Sequence, residues 1–362
     1  MTERRYFNMT AHTWRQLRRN WKLPPTPQVL WQSYVAGPLF SALNSCQGAL
    51  TAERRQIASL TGSIVVLGYW RSGTTLLHNY LTRDRRFGFP STYACMHPQH
   101  FILTQSAALE RRRATVRRPM DNVQISSSSP QEEEFGLLGL GARSPYEALL
   151  APCHLADALA LGDPRDLPAN EERHWQDTFN DFLNGVSVVE GGRPLILKSP
   201  PHGYRVATIR QLLPDVRFVL IVRSPDLVYE STVRMWRSLF PIYALGAIPP
   251  EDDTRRVVLA DRPRFETKLA EGLSGLPQDR LALVHYEALV ADPLNSIGLL
   301  YEQLRLGDFA AVEKDIKAEI DSAGQYTARN AAPPDYWLSQ VRDKWQSIFE
   351  RYNYGAPQSL HN

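Results

Sequence analysis

The most informative part of the sequence is Gly68-Tyr-Trp-Arg-Ser-Gly-Thr-Thr75, which combines glycines with a cation and hydroxyl side chains. It follows an apolar run at 63–67 that predicts a buried strand, and it leads into a predicted helix at 74–81. A turn from a strand into a helix points backbone N–H groups and the positive end of a helix dipole at one position. The segment therefore predicts a phosphate-binding loop. Its expected contacts are Arg71, Ser72, Gly73, Thr74 and Thr75.

The loop departs from the nucleotide-binding pattern G-x-x-x-x-G-K-[ST] at its lysine. Gly68 and Gly73 have the required spacing, but Thr74 stands where that pattern has lysine. That lysine normally reaches the β- and γ-phosphates of a nucleoside triphosphate, so its replacement favours a donor with a shorter anionic tail. The glycines could instead serve only a tight turn. The guanidinium of Arg71 and the neighbouring hydroxyls disfavour this interpretation, because they are groups that bind oxyanions.

A second pair of residues predicts another anion site. Arg223 ends the apolar run 217–222, and Ser231 follows eight positions later on the second turn of a helix beginning near Asp226. A guanidinium and a hydroxyl that converge beyond a strand end can bind a second phosphate. The alternative is a structural ion pair between Arg223 and Asp226 or Glu230.

The elements that must position these residues are short apolar strands separated by helices. Runs at 63–67, 195–197, 217–222 and 281–285 are typical of a parallel α/β sheet covered on both faces. Right-handed crossovers bring the carboxyl ends of such strands to one edge, where ligands bind. The residues at or just beyond these ends are Gly68, Lys198, Arg223 and His285. We therefore expect a single site at that edge.

The rest of the chain predicts additions to this sheet. Residues 1–60 predict a helical extension packed on the core, and 61–362 predict one α/β domain with helical lid insertions at about 87–150 and 236–263. A basic, tryptophan-bearing helix within these first sixty residues could alternatively make weak contact with a membrane surface. Aromatic residues of the insertions suggest an apolar wall for the acceptor: Phe101, Tyr146, Trp236, Phe240 and Tyr243.

Composition excludes several classes of protein. Cys46, Cys95 and Cys153 are widely spaced and form no C-x-x-C pair, which favours a reducing compartment and a cytoplasmic location. The net charge of +3 is too small to indicate a nucleic-acid partner. The longest apolar stretches fall short of the roughly 20 residues that span a bilayer. The oligomeric state is left open.

Two anion sites on one sheet edge suit a nucleotide phosphorylated at two places, and here the chain resembles the PAPS-dependent sulfotransferases in their bacterial and Golgi-like branch. The segment 68–77 resembles their 5′-phosphosulfate loop, and Arg223 and Ser231 match their 3′-phosphate pair. The segments 198–202 and 285–293 also resemble that branch, so the likeness spans about 64–293. It implies a P-loop NTPase-like parallel sheet flanked by helices.

The resemblance also implies a reaction, namely in-line transfer of a sulfuryl group from 3′-phosphoadenosine 5′-phosphosulfate (PAPS) to a hydroxyl or amine. The product nucleotide is 3′-phosphoadenosine 5′-phosphate (PAP), and no metal is required. The acceptor would be a small molecule, a lipid or a glycan. Arg71 would lie by the bridging oxygen of the leaving phosphate, residues 72–75 would hold the 5′-phosphate, and Tyr286 would contact adenine. Leu76 departs from relatives that have an aromatic residue there.

The general base does not follow from the resemblance, because Ser199 follows Lys198 where relatives have a threonine and then the catalytic histidine. The base must be unprotonated and within hydrogen-bond reach of the acceptor. His202 is the first candidate, since a histidine is partly neutral near pH 7. The other candidates, in order, are the run Glu132, Glu133 and Glu134, with Glu133 as its representative, then His97 and His100.

Further roles remain open at this stage. Lys198 would assist the transferring group, or it would pair with Asp215. The expected acceptor contacts are His97, Glu134 and Trp236. Two alternatives to a sulfotransferase are a P-loop kinase or NTPase, which would require lysine at position 74 and an acidic Mg²⁺ ligand, and a non-catalytic nucleotide-binding module.

Overall fold

The computed structural model describes residues 8–56, 60–111, 116–117, 124–323 and 332–355. In these residues the strands are β1 (Ile64–Leu67), β2 (Val116–Arg117), β3 (Gln124–Ile125), β4 (Ile196–Lys198), β5 (Arg217–Val222) and β6 (Leu281–His285). The central sheet has the order β4-β1-β5-β6 with every neighbouring pair parallel, and β2 and β3 form a separate antiparallel pair. The four predicted strands and the parallel sheet are confirmed.

Helices cover this sheet on both faces. The first part of the chain forms α1 (Ala11–Trp21), α2 (Pro27–Trp31), a π-helical turn (Gln32–Ala36) and α3 (Gly37–Gln56). Between β1 and β4 lie α4 (Thr74–Leu81), α5 (Thr92–Met96), α6 (Phe101–Arg111), α7 (Glu134–Leu140), α8 (Leu155–Ala160) and α9 (Ala169–Val189). Later in the chain come α10 (Val206–Leu212), α11 (Pro225–Tyr243), α12 (Glu251–Leu273), α13 (Tyr286–Ala291), α14 (Pro293–Gln303), α15 (Ala310–Ala323), α16 (Asp335–Lys344) and α17 (Gln346–Arg351).

Around β1, β4 and β5 each face of the sheet packs against its own apolar core, whereas the edge strand β6 leaves Leu283 exposed. Val65 and Leu67 of β1 face one core, and Ile64 and Val66 face the other. Alternate side chains of a strand point to opposite faces, so a strand buried on both sides must be apolar at every position. In register, Val66 lies beside Lys198 of β4. The carboxyl ends of β1 and β4 therefore meet at one edge.

The first helix packs onto the core through its tryptophans. Trp14, Leu17 and Trp21 are buried, and Nε1 of Trp21 donates a hydrogen bond to Oε2 of Glu147 at 2.6 Å. The apolar residues of α1 therefore face the core, and the weak membrane contact considered for the N-terminal helices stays a prediction. Residues 1–7 and 57–59 lie outside the described residues, and the domain limits stay a prediction.

The predicted aromatic wall is also corrected by the structure. Four of its five residues are buried in the hydrophobic core: Phe101, Tyr146, Trp236 and Phe240. Trp236 packs against Trp70, with ring centroids 5.9 Å apart. These aromatic side chains therefore pack within the core, and Trp236 is not exposed for contact with an acceptor. After β4, residues Pro200–Tyr204 form a 3-10 turn, and α10 begins at Val206.

Candidate active site

The loop between β1 and α4 needs glycine at both of its ends. Gly73 has a φ of 101°, in the left-handed region, and a Cβ atom there would lie 2.4 Å from Cδ2 of Tyr286. A Cβ atom on Gly68 would lie 2.5 Å from Oγ of Ser72 and 2.8 Å from the carbonyl oxygen of Ile221. Arg71 also has a positive φ, of 69°, which is unusual for a residue with a side chain. The loop is thus held in a tight, strained conformation around the start of α4.

Replacing Gly73 by alanine should destabilise the protein and weaken nucleotide binding. The added methyl group is strained by the positive φ and also collides with the ring of Tyr286, so we expect a loss of roughly 1–3 kcal/mol in unfolding free energy. Gly192→Ala is the matched control, because Gly192 has a φ of 80° but nothing within 4 Å of its Cβ position. Chemical denaturation of both variants measures the difference. Equal losses would contradict a role for the contact with Tyr286.

The two predicted anion sites come together at this loop. Nε of Arg71 donates to Oγ of Ser231 at 3.1 Å, and Nη1 of Arg223 donates to the carbonyl oxygen of Arg71 at 3.2 Å. The Arg223 guanidinium lies over the ring of Tyr286, 4.5 Å from its centroid. Thr232 fixes α11 to the loop by donating to the carbonyl oxygen of Trp70 at 3.1 Å. Two guanidinium groups and a hydroxyl therefore share one edge of the loop.

A third cation lies on the other side of the loop. Nζ of Lys198, at the end of β4, is 3.3 Å from Oγ1 of Thr75 and 2.5 Å from Oε1 of Glu132. Oε2 of Glu132 accepts a hydrogen bond from the hydroxyl group of Tyr146. The lysine side chain is 2% exposed and that of Glu132 is 12% exposed. A carboxylate oriented by two donors thus sits next to the buried cation that contacts the phosphate loop.

The next glutamate in the run has a different, fully buried partner. Oε1 of Glu133 contacts Nε2 of His202, and both side chains are 0% exposed. Oε2 of Glu133 accepts a hydrogen bond from the backbone N–H of Lys198 at 3.3 Å. Burial raises the pKa of Glu133, but the adjacent His202 and the hydrogen bonds outweigh it and hold that pKa at about 2. Glu133 and His202 form a buried pair that positions the end of β4, and their burial argues against contact with an acceptor.

Glu134 and the two other histidines also have structural contacts. Glu134 accepts a 2.6 Å hydrogen bond from Oγ of Ser144 and lies 3.0 Å from Nη2 of Arg205, in a fully buried ion pair. His97 accepts a hydrogen bond from Nδ2 of Asn8 at 2.8 Å, and the centroid of its ring lies 5.3 Å from that of His100. The structure therefore gives Glu134, His97 and His100 partners outside the phosphate loop.

Ser72 serves the loop itself. Its hydroxyl group is buried and donates to the carbonyl oxygen of Tyr69 at 2.8 Å, so it shapes the turn. The first N–H groups of α4 have no partner within that helix, as at any helix start, and with the hydroxyl groups of Thr74 and Thr75 they can bind a phosphate. Among the described residues, no group of three or more His, Cys, Asp or Glu side chains is placed to hold a metal ion. That no metal is required stays a prediction.

Two residues near the loop were not identified from the sequence as parts of the site. Tyr146 enters only as an aromatic wall residue, yet its hydroxyl orients Glu132 from a 3-10 turn (Pro145–Leu149). His78 is buried in α4, with Nε2 3.2 Å from the carbonyl oxygen of Ile196. Neither position has a local sequence signal, because each partner lies on another element of the fold.

His78 makes the stability of the protein sensitive to acid. Burial and then the charge of Lys198 lower the pKa of His78 from 6.5 to about 3. The unfolded chain binds a proton on this histidine at a pH where the folded chain does not, so stability present above pH 6.5 is lost as the pH falls toward 3. The loss attributable to one such group approaches ~1.4 kcal/mol per pH unit.

The variant His78→Gln tests this assignment. Unfolding free energies of both proteins should be compared from pH 6.5 down to about pH 5, and the difference between the two profiles isolates the histidine from carboxyl groups that titrate in both proteins. The amide of glutamine can still donate to Ile196 but does not titrate, so the variant should have a flatter profile. Identical pH dependence in the two proteins would assign the effect to other groups.

Comparisons with known proteins agree with this geometry. A family model described as the sulfotransferase family matches residues 63–310. The omega-hydroxy-beta-dihydromenaquinone-9 sulfotransferase Stf3 of Mycobacterium bovis, and the protein of the same name in Mycobacterium tuberculosis, are each 30% identical over 330 residues, which is 90% of this chain and 84% of the relative.

Solved structures show the same fold at lower identity. Sulfotransferase STF1 from Mycobacterium tuberculosis aligns with a TM-score of 0.66 and 14% identity, covering 93% of each chain. Sulfotransferase STF9 from Mycobacterium avium aligns with a TM-score of 0.67 and 13% identity, covering 95% of this chain and 96% of that one.

Proposed function

Because this chain belongs to the sulfotransferase family, we propose that it transfers a sulfuryl group from PAPS to the hydroxyl group of a lipid, with Glu132 as the general base. The observation that carries the donor assignment is the convergence of Arg71, Arg223 and Ser231 on one edge of the phosphate loop. A donor with phosphates on both the 3′ and the 5′ position of one ribose suits this edge, where two guanidinium groups and a hydroxyl group lie beside the start of α4. PAPS supplies an activated sulfuryl group whose leaving group is a phosphate.

The donor contacts follow from where each group lies. The start of α4, with Thr74 and Thr75, would hold the 5′-phosphate, and Arg223 and Ser231 would hold the 3′-phosphate. Tyr286 would flank the nucleotide, since its ring already packs under Arg223. Arg71 stands between these points and would neutralise charge on the leaving phosphate. Sulfuryl transfer, like phosphoryl transfer, depends mainly on positioning and on stabilising charge, which these groups supply.

Glu132 replaces His202 as the first candidate for the base. It is the only partly exposed member of the glutamate run, and its two hydrogen bonds fix its orientation beside Lys198. The proton of the attacking hydroxyl group passes to Glu132 as the new sulfur–oxygen bond forms and the bond to the leaving phosphate breaks. Lys198 lies between Glu132 and Thr75, where it would balance the charge that develops on the transferring group.

A lipid acceptor is proposed because the relative that is 30% identical over 90% of this chain is named for sulfation of a hydroxylated menaquinone. A cytoplasmic location is proposed because Cys46, Cys95 and Cys153 are all free thiols. In the part of the chain that the structure describes, no helix is both long and apolar enough to span a bilayer. The test of acceptor class is turnover of labelled PAPS with a long-chain hydroxylated isoprenoid, a soluble phenol and a sugar.

Nucleotide selectivity provides the test of the donor site. PAP at about 100 times its dissociation constant should raise the unfolding free energy by ~2.7 kcal/mol, and ADP or ATP with Mg²⁺ should raise it much less at the same concentration. Thermal-shift measurements compare the three nucleotides. In Arg223→Gln the preference for PAP over ADP should disappear, because the 3′-phosphate loses its guanidinium partner. Equal stabilisation of the wild-type protein by ATP and PAP would favour the P-loop kinase alternative.

A further inference from the structure

An exposed apolar stripe runs along the helices that precede the phosphate loop. α2, the π-helical turn and α3 follow one another without a break from Pro27 to Gln56, which corresponds to about 45 Å of helix. The large apolar side chains exposed along it are Leu30, Trp31, Tyr34, Val35, Leu39 and Leu50, and we call them the α2–α3 stripe. Trp31 is 59% exposed, Tyr34 66% and Leu39 59%. Such exposure of large side chains on one element marks an interaction surface.

The stripe is one face of the helix, and the other face is already used. The buried residues of these helices are Val29, Ser33, Gly37, Gln47 and Thr51. The exposed large residues recur between them at intervals of three or four over much of the length, together with the small exposed residues Pro38, Ala42 and Ala49. The outer side of the helix is therefore apolar although it does not pack against the protein core.

Charge along most of the stripe has a single sign, and Glu53 and Arg54 lie only at its far end, one turn after Leu50. Residues 23–52 contain no charged side chain, and residues 8–52 contain no Asp or Glu. The cations of the neighbouring α1 region are Arg15, Arg18, Arg19 and Lys22. Arg18 joins them to the stripe, since its Nη1 donates to the hydroxyl group of Tyr34 at 3.2 Å and its guanidinium lies 5.6 Å from the centre of that ring. Basic residues therefore border the apolar surface directly.

We propose that the α2–α3 stripe binds the surface of a membrane that contains anionic lipid. Exposed tryptophan and tyrosine beside apolar side chains suit the boundary between headgroups and acyl chains, and bordering cations suit anionic headgroups. A symmetric dimer through this face would bring the same cations toward each other, which disfavours self-association. The stripe shares no residue with the donor loop, and, on the proposed function, binding here would bring the enzyme to a bilayer-resident acceptor.

Vesicle flotation tests the proposal without any need for turnover. Full-length protein is mixed with vesicles of equal phosphatidylcholine and phosphatidylglycerol, or of phosphatidylcholine alone. The wild-type protein should float with the anionic vesicles, and high salt should weaken that binding. Trp31→Glu and Leu39→Glu should each lower partitioning by about tenfold or more, since each removes an apolar side chain from the bilayer and adds a repelled charge. Arg15→Gln combined with Arg19→Gln should weaken binding to anionic vesicles only.

Leu299→Glu is the matched control, because Leu299 is 57% exposed but lies on α14, away from the stripe in sequence. It should bind vesicles like the wild-type protein. Stabilisation by PAP should be unchanged in every stripe variant, which separates this proposal from the donor assignment and shows that the variants are folded. The proposal is overturned if the wild-type protein stays with the unbound fraction, if Leu39→Glu and Leu299→Glu behave alike, or if light scattering finds a dimer that Leu39→Glu dissociates.

Discussion

Glu132→Gln should lower kcat by about 10²- to 10⁴-fold, the range that a general base typically contributes. Glutamine keeps the shape of the side chain and can still contact Lys198 and Tyr146, but it cannot accept the proton of the acceptor hydroxyl group. The apparent affinity for PAPS should change little, because Lys198 lies between Glu132 and Thr75 of the donor loop. Steady-state kinetics with saturating donor measures the loss directly.

Two controls separate this prediction from a loss of folding. Glu171, on α9, is also a glutamate paired with a cation, since its carboxylate lies 2.9 Å from Arg143. Glu171→Gln should leave kcat near the wild-type value. His202→Ala tests the rival base. The variant leaves the buried carboxylate of Glu133 without its partner, so the free energy of unfolding should fall by on the order of 3–5 kcal/mol. The folded fraction of the variant should remain active. Near-normal kcat in Glu132→Gln together with abolished turnover in folded His202→Ala would reverse the assignment.

Lys198→Met should lower kcat by about 10²- to 10³-fold, comparable to the loss of one preorganised group that stabilises transition-state charge. The ammonium group is buried between Thr75 and Glu132, so water cannot replace it at low cost. Lys198→Arg keeps the charge and should recover part of the rate. The backbone N–H of Lys198, which bonds Glu133, is unchanged in both variants, so the end of β4 should stay in place.

The double variant of Lys198→Met and Glu132→Gln gives a sharper result than either change alone. Groups that act as a unit have non-additive effects, so the combined loss in kcat should be clearly smaller than the product of the two single losses. Additive losses would mean that the two side chains act independently. A variant Lys198→Met with normal kcat and weakened stabilisation by PAP would limit the lysine to binding the donor.

Features that depend on neighbouring residues could be predicted from the sequence. The strands of the sheet, the helix at Thr74–Leu81 and the tight loop before it follow from apolar runs and glycine spacing, which act over a few residues. That Arg223 lies at the same sheet edge as Arg71 also followed, because parallel strands with right-handed crossovers must end at one edge. The direct contact of Ser231 with Arg71 did not follow, because the sequence predicted two separate anion sites. The donor side of the site is thus largely a consequence of local pattern and sheet topology.

The role of each consecutive glutamate could not be predicted in this way. Glu132, Glu133 and Glu134 have the same chemistry, but their partners are Lys198, His202 and Arg205, which lie 66, 69 and 71 residues later. The structure buries Glu133 and Glu134 completely and leaves Glu132 beside the loop. Similarly, helical periodicity predicts an apolar face on α1 and on α2–α3. It does not predict which of these faces packs against the core.

The sequence by itself therefore determined the sheet, the phosphate loop and the cations at the strand ends, because these follow from backbone conformation and from short-range spacing. Only the tertiary structure decided that Glu132 rather than His202 accompanies Lys198, and that the apolar face of α1 is buried while Trp31, Tyr34 and Leu39 are exposed. The physical reason is that burial and ion pairing are set by elements far apart in the chain. A charged side chain is buried where the fold supplies its partner, and an apolar face stays exposed where no other element packs against it.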